Sequence, residues 1–83
     1  MVYDVEEKRV GKMLRTGRKY LNWVQNSVLE GELSPAGLEE LKAAVRRVMN
    51  AEYDSVILYT WRSERYSARQ ILGQERGSTD QFI

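Results

Sequence analysis

Apolar positions recur along this chain with two alternating periods, and each switch of period marks an element. Val2, Tyr3 and Val5 read as a short strand over residues 1–5, with Asp4 at its end. From Glu6-Glu7 the period lengthens: Val10, Met13, Leu14, Gly17 and Leu21 fall at i, i+3, i+4, i+7 and i+11. That spacing predicts a helix to about Leu21 with one buried stripe, its leading acids matched to the positive end of the helix dipole. Gly17 lowers helix propensity, so its place on the stripe predicts that the helix lies close against a sheet.

Taken as one straight strand, residues 23–33 would run for more than about 30 Å, too long for a chain of this size. A break near Gln25–Ser27 divides them into two strands, the second with Leu29, Gly31 and Leu33 on one face and Glu30 and Glu32 on the other. Ser34-Pro35 then offers a capping hydroxyl and a preset first turn, and Leu38, Leu41, Val45, Val48 and Met49 carry a second helix to about Asn50. After the polar stop at 50–54, Val56-Ile57-Leu58-Tyr59-Thr60-Trp61 forms a strand that is apolar on both faces. Arg62–Tyr66 reads as a polar turn, Arg69–Gly73 as a short strand, Gly73–Asp80 as a connector, and Gln81-Phe82-Ile83 as an apolar tail.

The order strand, helix, two strands, helix, strand predicts an α+β fold of the ferredoxin-like βαββαβ kind with a C-terminal extra strand. Residues 1–73 make the core of a single domain, and 74–83 an extension that either frays or pairs with the sheet edge of a second copy. Two helices cover one side of a small sheet, yet the strand at 56–61 has apolar groups for both sides. A homodimer joined through the sheet is the expected solution.

Composition supports that expectation and limits the chemistry. The chain has 83 residues and no Cys, so neither disulfides nor thiolate-bound zinc staples the fold, and association is the remaining source of buried apolar area. Its apolar runs are too short to cross a bilayer, and no signal-peptide pattern opens the chain, which predicts a cytoplasmic protein with no membrane partner. The net charge of +1 does not argue for nucleic acid, but six cations and no acid lie between Lys8 and Lys19. Lys8, Arg9, Lys12 and Arg15 therefore offer either a phosphate-binding surface or a solvated helix face, and Arg62, Arg65 and Arg69 offer a second such set.

With no His, metal-free cleavage by paired imidazoles is excluded. No phosphate-binding glycine loop, zinc spacing or nucleophile elbow is present. Asp4, at a strand-to-helix junction, admits two readings: a cap for the following helix, or a carboxylate ligand for a hard cation such as Mg²⁺. Tyr59 and Trp61 fit either burial in a dimer interface or an aromatic platform for RNA bases, and the two-faced apolar strand favours burial.

Val-Tyr-Asp-Val at 2–5, Glu-Lys-Arg-Val at 7–10, Trp-Val-Gln-Asn-Ser-Val at 23–28, Glu-Gly-Glu-Leu at 30–33, Asp-Ser-Val at 54–56 and Ile-Leu-Gly at 71–73 occur in that order along nearly the whole chain. As an ordered set they resemble the CRISPR-associated protein two family, the small dimeric partner of the CRISPR integrase. The resemblance implies a ferredoxin-like protomer dimerised through its sheet, with a C-terminal strand that joins the partner's sheet. It implies a role in spacer acquisition, in which the dimer bridges integrase dimers and supports DNA. It further implies a Mg²⁺-dependent endonuclease acting on RNA or DNA, with Asp4 as both catalytic and metal-binding residue. The chain departs from the family in a first strand with only Met1 and Val2 ahead of Tyr3, and in Trp23 and Leu29, where relatives often carry Arg and Phe.

Overall fold

The computed structural model describes residues 1–62 and 65–75. The described residues form β1 (Val2–Asp4), α1 (Glu7–Gly17), β2 (Asn22–Gln25), β3 (Val28–Glu30), α2 (Pro35–Val48), β4 (Ser55–Arg62) and β5 (Arg65–Gly73). The strands make one antiparallel sheet in the order β2-β3-β1-β4-β5. The first four strands have the expected ferredoxin-like arrangement, and β5 is the extra strand on the outer edge of β4.

Both helices pack on one face of this sheet. From α1 come Met13, Thr16 and Gly17, and from α2 come Leu41, Ala44 and Val45, all buried. They meet Tyr3, Leu29, Val56, Leu58 and Leu72 from the strands. Met13, Leu29, Leu41, Val45 and Val56 are fully enclosed, each stabilising the fold by about 1.5–3 kcal/mol relative to exposure. Gly17 has the role its position predicts, because a Cβ there would stand 3.1 Å from Met1 Cε and 3.2 Å from Leu29 Cδ2. The Ser34 hydroxyl accepts the Gly37 amide at 3.0 Å, so α2 starts at Ser34-Pro35 as read.

Several boundaries differ from the periodic reading. Helix α1 ends at Gly17 instead of near Leu21: the Tyr20 and Leu21 amides both turn back to the Gly17 carbonyl, and Leu21 still reaches the core from this turn. Val10, assigned to the buried stripe, is 39% exposed. Strand β3 stops at Glu30, so Gly31 and Leu33 lie beyond the ladder. Strand β5 begins at Arg65, within the segment read as a polar turn, because pairing with β4 overrides the weak local preference of Arg65–Ala68. The tail Gln81-Phe82-Ile83 and most of the connector fall outside the described residues. Among the described residues, no helix is long and apolar enough to cross a membrane.

Candidate metal and nucleic-acid site

Strand alternation decides where Asp4 points. Tyr3 is buried beneath the helices, so its neighbours Val2 and Asp4 turn to the opposite, helix-free face, where both are exposed. The β1–β4 register pairs Val2 with Ile57 and Asp4 with Ser55. Val28, Val2, Ile57 and Ile71 thus form a row of apolar residues across the helix-free face. Further along β4, Tyr59 and Trp61 continue that face, their ring centroids 6.2 Å apart and Arg69 6.0 Å over Tyr59. They are 37% and 56% exposed, so the burial expected for them is not achieved within one chain.

The other flank of Asp4 is the β2–β3 turn. The Tyr3 amide donates to the Ser27 carbonyl at 3.1 Å, and the Trp23 indole N–H donates to the Asn26 carbonyl at 3.0 Å. Asn26 takes the left-handed conformation, with φ of 41°, that such a tight connection requires. Burial pushes the Tyr3 phenol upward, and the nearby Ser27 hydroxyl offsets this only in part; among the described residues no hydrogen bond of good geometry reaches the Tyr3 hydroxyl.

A second carboxylate organises the same end of the sheet. Asp54 is fully buried at the entrance to β4. Among the described residues it accepts hydrogen bonds from Arg9 Nε at 2.6 Å, Arg9 Nη2 at 3.0 Å, the Asn50 amide at 2.8 Å and the Glu6 amide at 3.0 Å. The Arg9 guanidinium, chiefly, holds the Asp54 carboxyl down at about 2, and the two amides assist against the opposing effect of burial. Arg9 in turn is raised by Asp54 first and by its ion pair with Glu6 second. The residue preceding α1, Glu6, has no capping bond from its own side chain; its amide is satisfied by Asp54. At this amide, the capping role weighed for Asp4 belongs to Asp54.

Sequence reasoning passes over Asp54, which reads as the end of a polar stop. Its signal is a carboxylate directly ahead of an apolar strand, a position that becomes buried and therefore needs a cation and amides around it. The four cations proposed on α1 also separate in the structure. Arg9 is engaged at the Asp54 corner, with its side chain only 15% exposed, whereas Lys8, Lys12 and Arg15 lie on the exposed surface of α1. On the second set, Arg69 stands between Tyr59 and Glu75; the side chains of Arg62 and Arg65 fall outside the described residues.

The family model described as CRISPR associated protein Cas2 matches residues 1–69. The chain belongs to the Cas2 family. Among its relatives, the protein named CRISPR-associated endoribonuclease Cas2 from Dictyoglomus turgidum is 52% identical over 83 residues, covering all of this chain and 95% of its own length. The protein of the same name from Thermotoga maritima is 54% identical over 83 residues, again all of this chain and 94% of the relative. CRISPR-associated endoribonuclease Cas2 2 from Archaeoglobus fulgidus is 46% identical over 77 residues, 93% of this chain and 84% of the relative. The Cas2 resemblance drawn from the ordered motifs is thus borne out across the whole chain.

The donor set limits what cation a Cas2 protomer of this sequence can hold. Among the described residues no three His, Cys, Asp or Glu side chains gather to enclose an ion. One exposed carboxylate, with no imidazole or thiolate in the sequence, fits a hard and largely hydrated cation such as Mg²⁺, and does not fit zinc.

Proposed function

We propose that this Cas2 chain is a CRISPR adaptation protein: a homodimeric nucleic-acid-binding scaffold for the integrase, with Mg²⁺-dependent endonuclease activity centred on Asp4. The observation that carries this reading is the helix-free sheet face, which presents the apolar row of Val28, Val2, Ile57 and Ile71 and the Asp4 carboxylate on the same side. A second copy covering that row would remove its apolar surface from water, and a two-fold axis near the end of β1 would set Asp4 opposite its symmetry mate. One carboxylate per chain then becomes two.

Asp4 is the residue that holds the cation in this reading. When bound there, Mg²⁺ supplies a nucleophilic water and neutralises phosphate charge. The exposed cations Lys8, Lys12 and Arg15 hold the nucleic-acid backbone by its phosphates, which gives affinity without reading bases. The names of the relatives support RNA cleavage, and the family resemblance supports the scaffold with integrase.

Asp4→Ala separates the parts. The expected outcome is loss of metal-dependent cleavage of RNA or duplex DNA, with spacer acquisition in cells retained. Acquisition lost together with cleavage makes the nuclease itself the function, as in a stand-alone ribonuclease. Light scattering tests the dimer: a monomer at micromolar concentration that binds RNA through Tyr59 and Trp61 favours the RNA-binding-module reading and overturns the scaffold.

A further inference from the structure

Asp54 touches both chain segments that fix Asp4. It directly precedes Ser55, the β4 residue paired with Asp4, and it accepts the amide of Glu6, two residues after Asp4, at 3.0 Å. The same carboxylate binds Arg9 through two nitrogens, at 2.6 and 3.0 Å, so the first turn of α1 is tied to the start of β4. A further bond, from the Asn50 amide at 2.8 Å, closes the loop at the end of α2. Residue 54 is also held from behind, because the Gln74 amide donates to the Asp54 carbonyl at 2.8 Å and Gln74 Nε2 reaches the Ala51 carbonyl at 3.1 Å.

We propose that Asp54 is the positioning residue of the Asp4 site, a fully enclosed carboxylate that fixes the backbone following Asp4 against the start of the strand paired with it, and keeps Arg9 away from substrate phosphate. The proposal rests on the reading of Asp4 as the cation-holding group. A ligand on a three-residue strand has few ladder bonds of its own to aim it. The segment that follows adds to its orientation, and what grips that segment is the Asp54 carboxylate on Glu6 and Arg9. Arg9, in this view, assembles the site and is not one of its phosphate contacts, although it belongs to the basic run of α1.

Asp54→Asn tests this, since the amide keeps the shape and one acceptor oxygen but loses the charge that holds Arg9. Mn²⁺ binding to the full chain at neutral pH is followed by electron paramagnetic resonance, together with amide exchange at Asp4, Val5 and Glu6, for the wild type, Asp54→Asn and Asp4→Asn. The expected result is an affinity for Mn²⁺ lowered at least about 10-fold by Asp54→Asn, as for other groups that orient a ligand from behind. Exchange at the three amides rises at least about 10-fold, while Leu41 and Val45 in the core of α2 stay protected. A folded Asp54→Asn protein with wild-type Mn²⁺ affinity, measured where Asp4→Asn loses it, overturns the proposal, as does unchanged exchange at the three amides. If the wild type binds Mn²⁺ no better than Asp4→Asn, the Asp4 reading falls by itself, and the exchange result alone decides whether Asp54 orders this segment. Arg9→Lys, which keeps the charge but cannot donate from two nitrogens in the same fork, serves where Asp54→Asn does not fold. It is expected to loosen the same three amides, and their unchanged protection overturns the proposal.

Discussion

Replacing Gly73 by Ala should destabilise the protein far more than a single methyl group ordinarily does. Gly73 has φ of 81°, where a Cβ costs roughly 1–2 kcal/mol. An added Cβ would also overlap the Asp54 carbonyl oxygen and lie 2.5 Å from Met49 Cε. Met49 can rotate aside, but the Asp54 carbonyl is held by the Gln74 amide and by the side-chain bonds of the same residue. Shifting that backbone adds about 1–3 kcal/mol, the usual range for an overfilled site. The total of about 2–5 kcal/mol, at about 4–8 °C per kcal/mol for a chain of this size, predicts a fall in melting temperature of at least about 8 °C. Gly11→Ala is the internal comparison, because Gly11 lies inside α1 and, among the described residues, its Cβ would meet only the flexible end of Arg15 at 3.4 Å. It should stabilise by about 0.5–1 kcal/mol. Thermal unfolding by circular dichroism at equal chain concentration reads both, which matters if association contributes. A Gly73→Ala protein melting within about 3 °C of the wild type would refute the reasoning.

Two further outcomes follow from the charges. Asp54 is held at about 2, below its ordinary 3.8, so its contribution is complete above about pH 4 and is lost as pH falls through 2; urea midpoints between pH 5 and pH 2 should drop, and the drop should flatten in Asp54→Asn. Lys12→Ala and Arg15→Ala should each weaken binding to duplex DNA and lower the slope of log affinity against log salt by roughly 1, whereas a folded Arg9→Lys protein should leave that slope unchanged in fluorescence anisotropy titrations.

Short-range features of the fold were legible in the chain because local chemistry determines them. Ser34-Pro35 caps α2 wherever that helix is placed, and the polar Gln25–Ser27 segment interrupts a run too long to be one strand. Where long-range pairing decides, the reading fails: Arg65–Ala68 is too charged and small to announce a strand, yet it pairs along β4. A helical stripe also cannot distinguish a last helical turn from a tight return that places Leu21 on the same side, so the apolar spacing runs past the true end of α1. Asp4 was visible because its place depends on its neighbours in sequence. Asp54 was not, since its partners Arg9 and Glu6 lie 45 and 48 positions away.

That separation has a kinetic side. The loop from Asn50 to Asp54 gathers the start of α1, the end of α2, the entrance of β4 and the exit of β5 at one corner. Bringing residues 6 and 9 to residue 54 closes a long chain loop, an entropic cost met before the charge pair gives any return. The pairing of Asp4 with Ser55 closes a chain loop of nearly the same length, so the corner and the β1–β4 ladder share that cost. Sheet and corner are thus linked: a chain in which β1 has not met β4 has neither the central pairing of its sheet nor the buried carboxylate that grips Glu6 and Arg9.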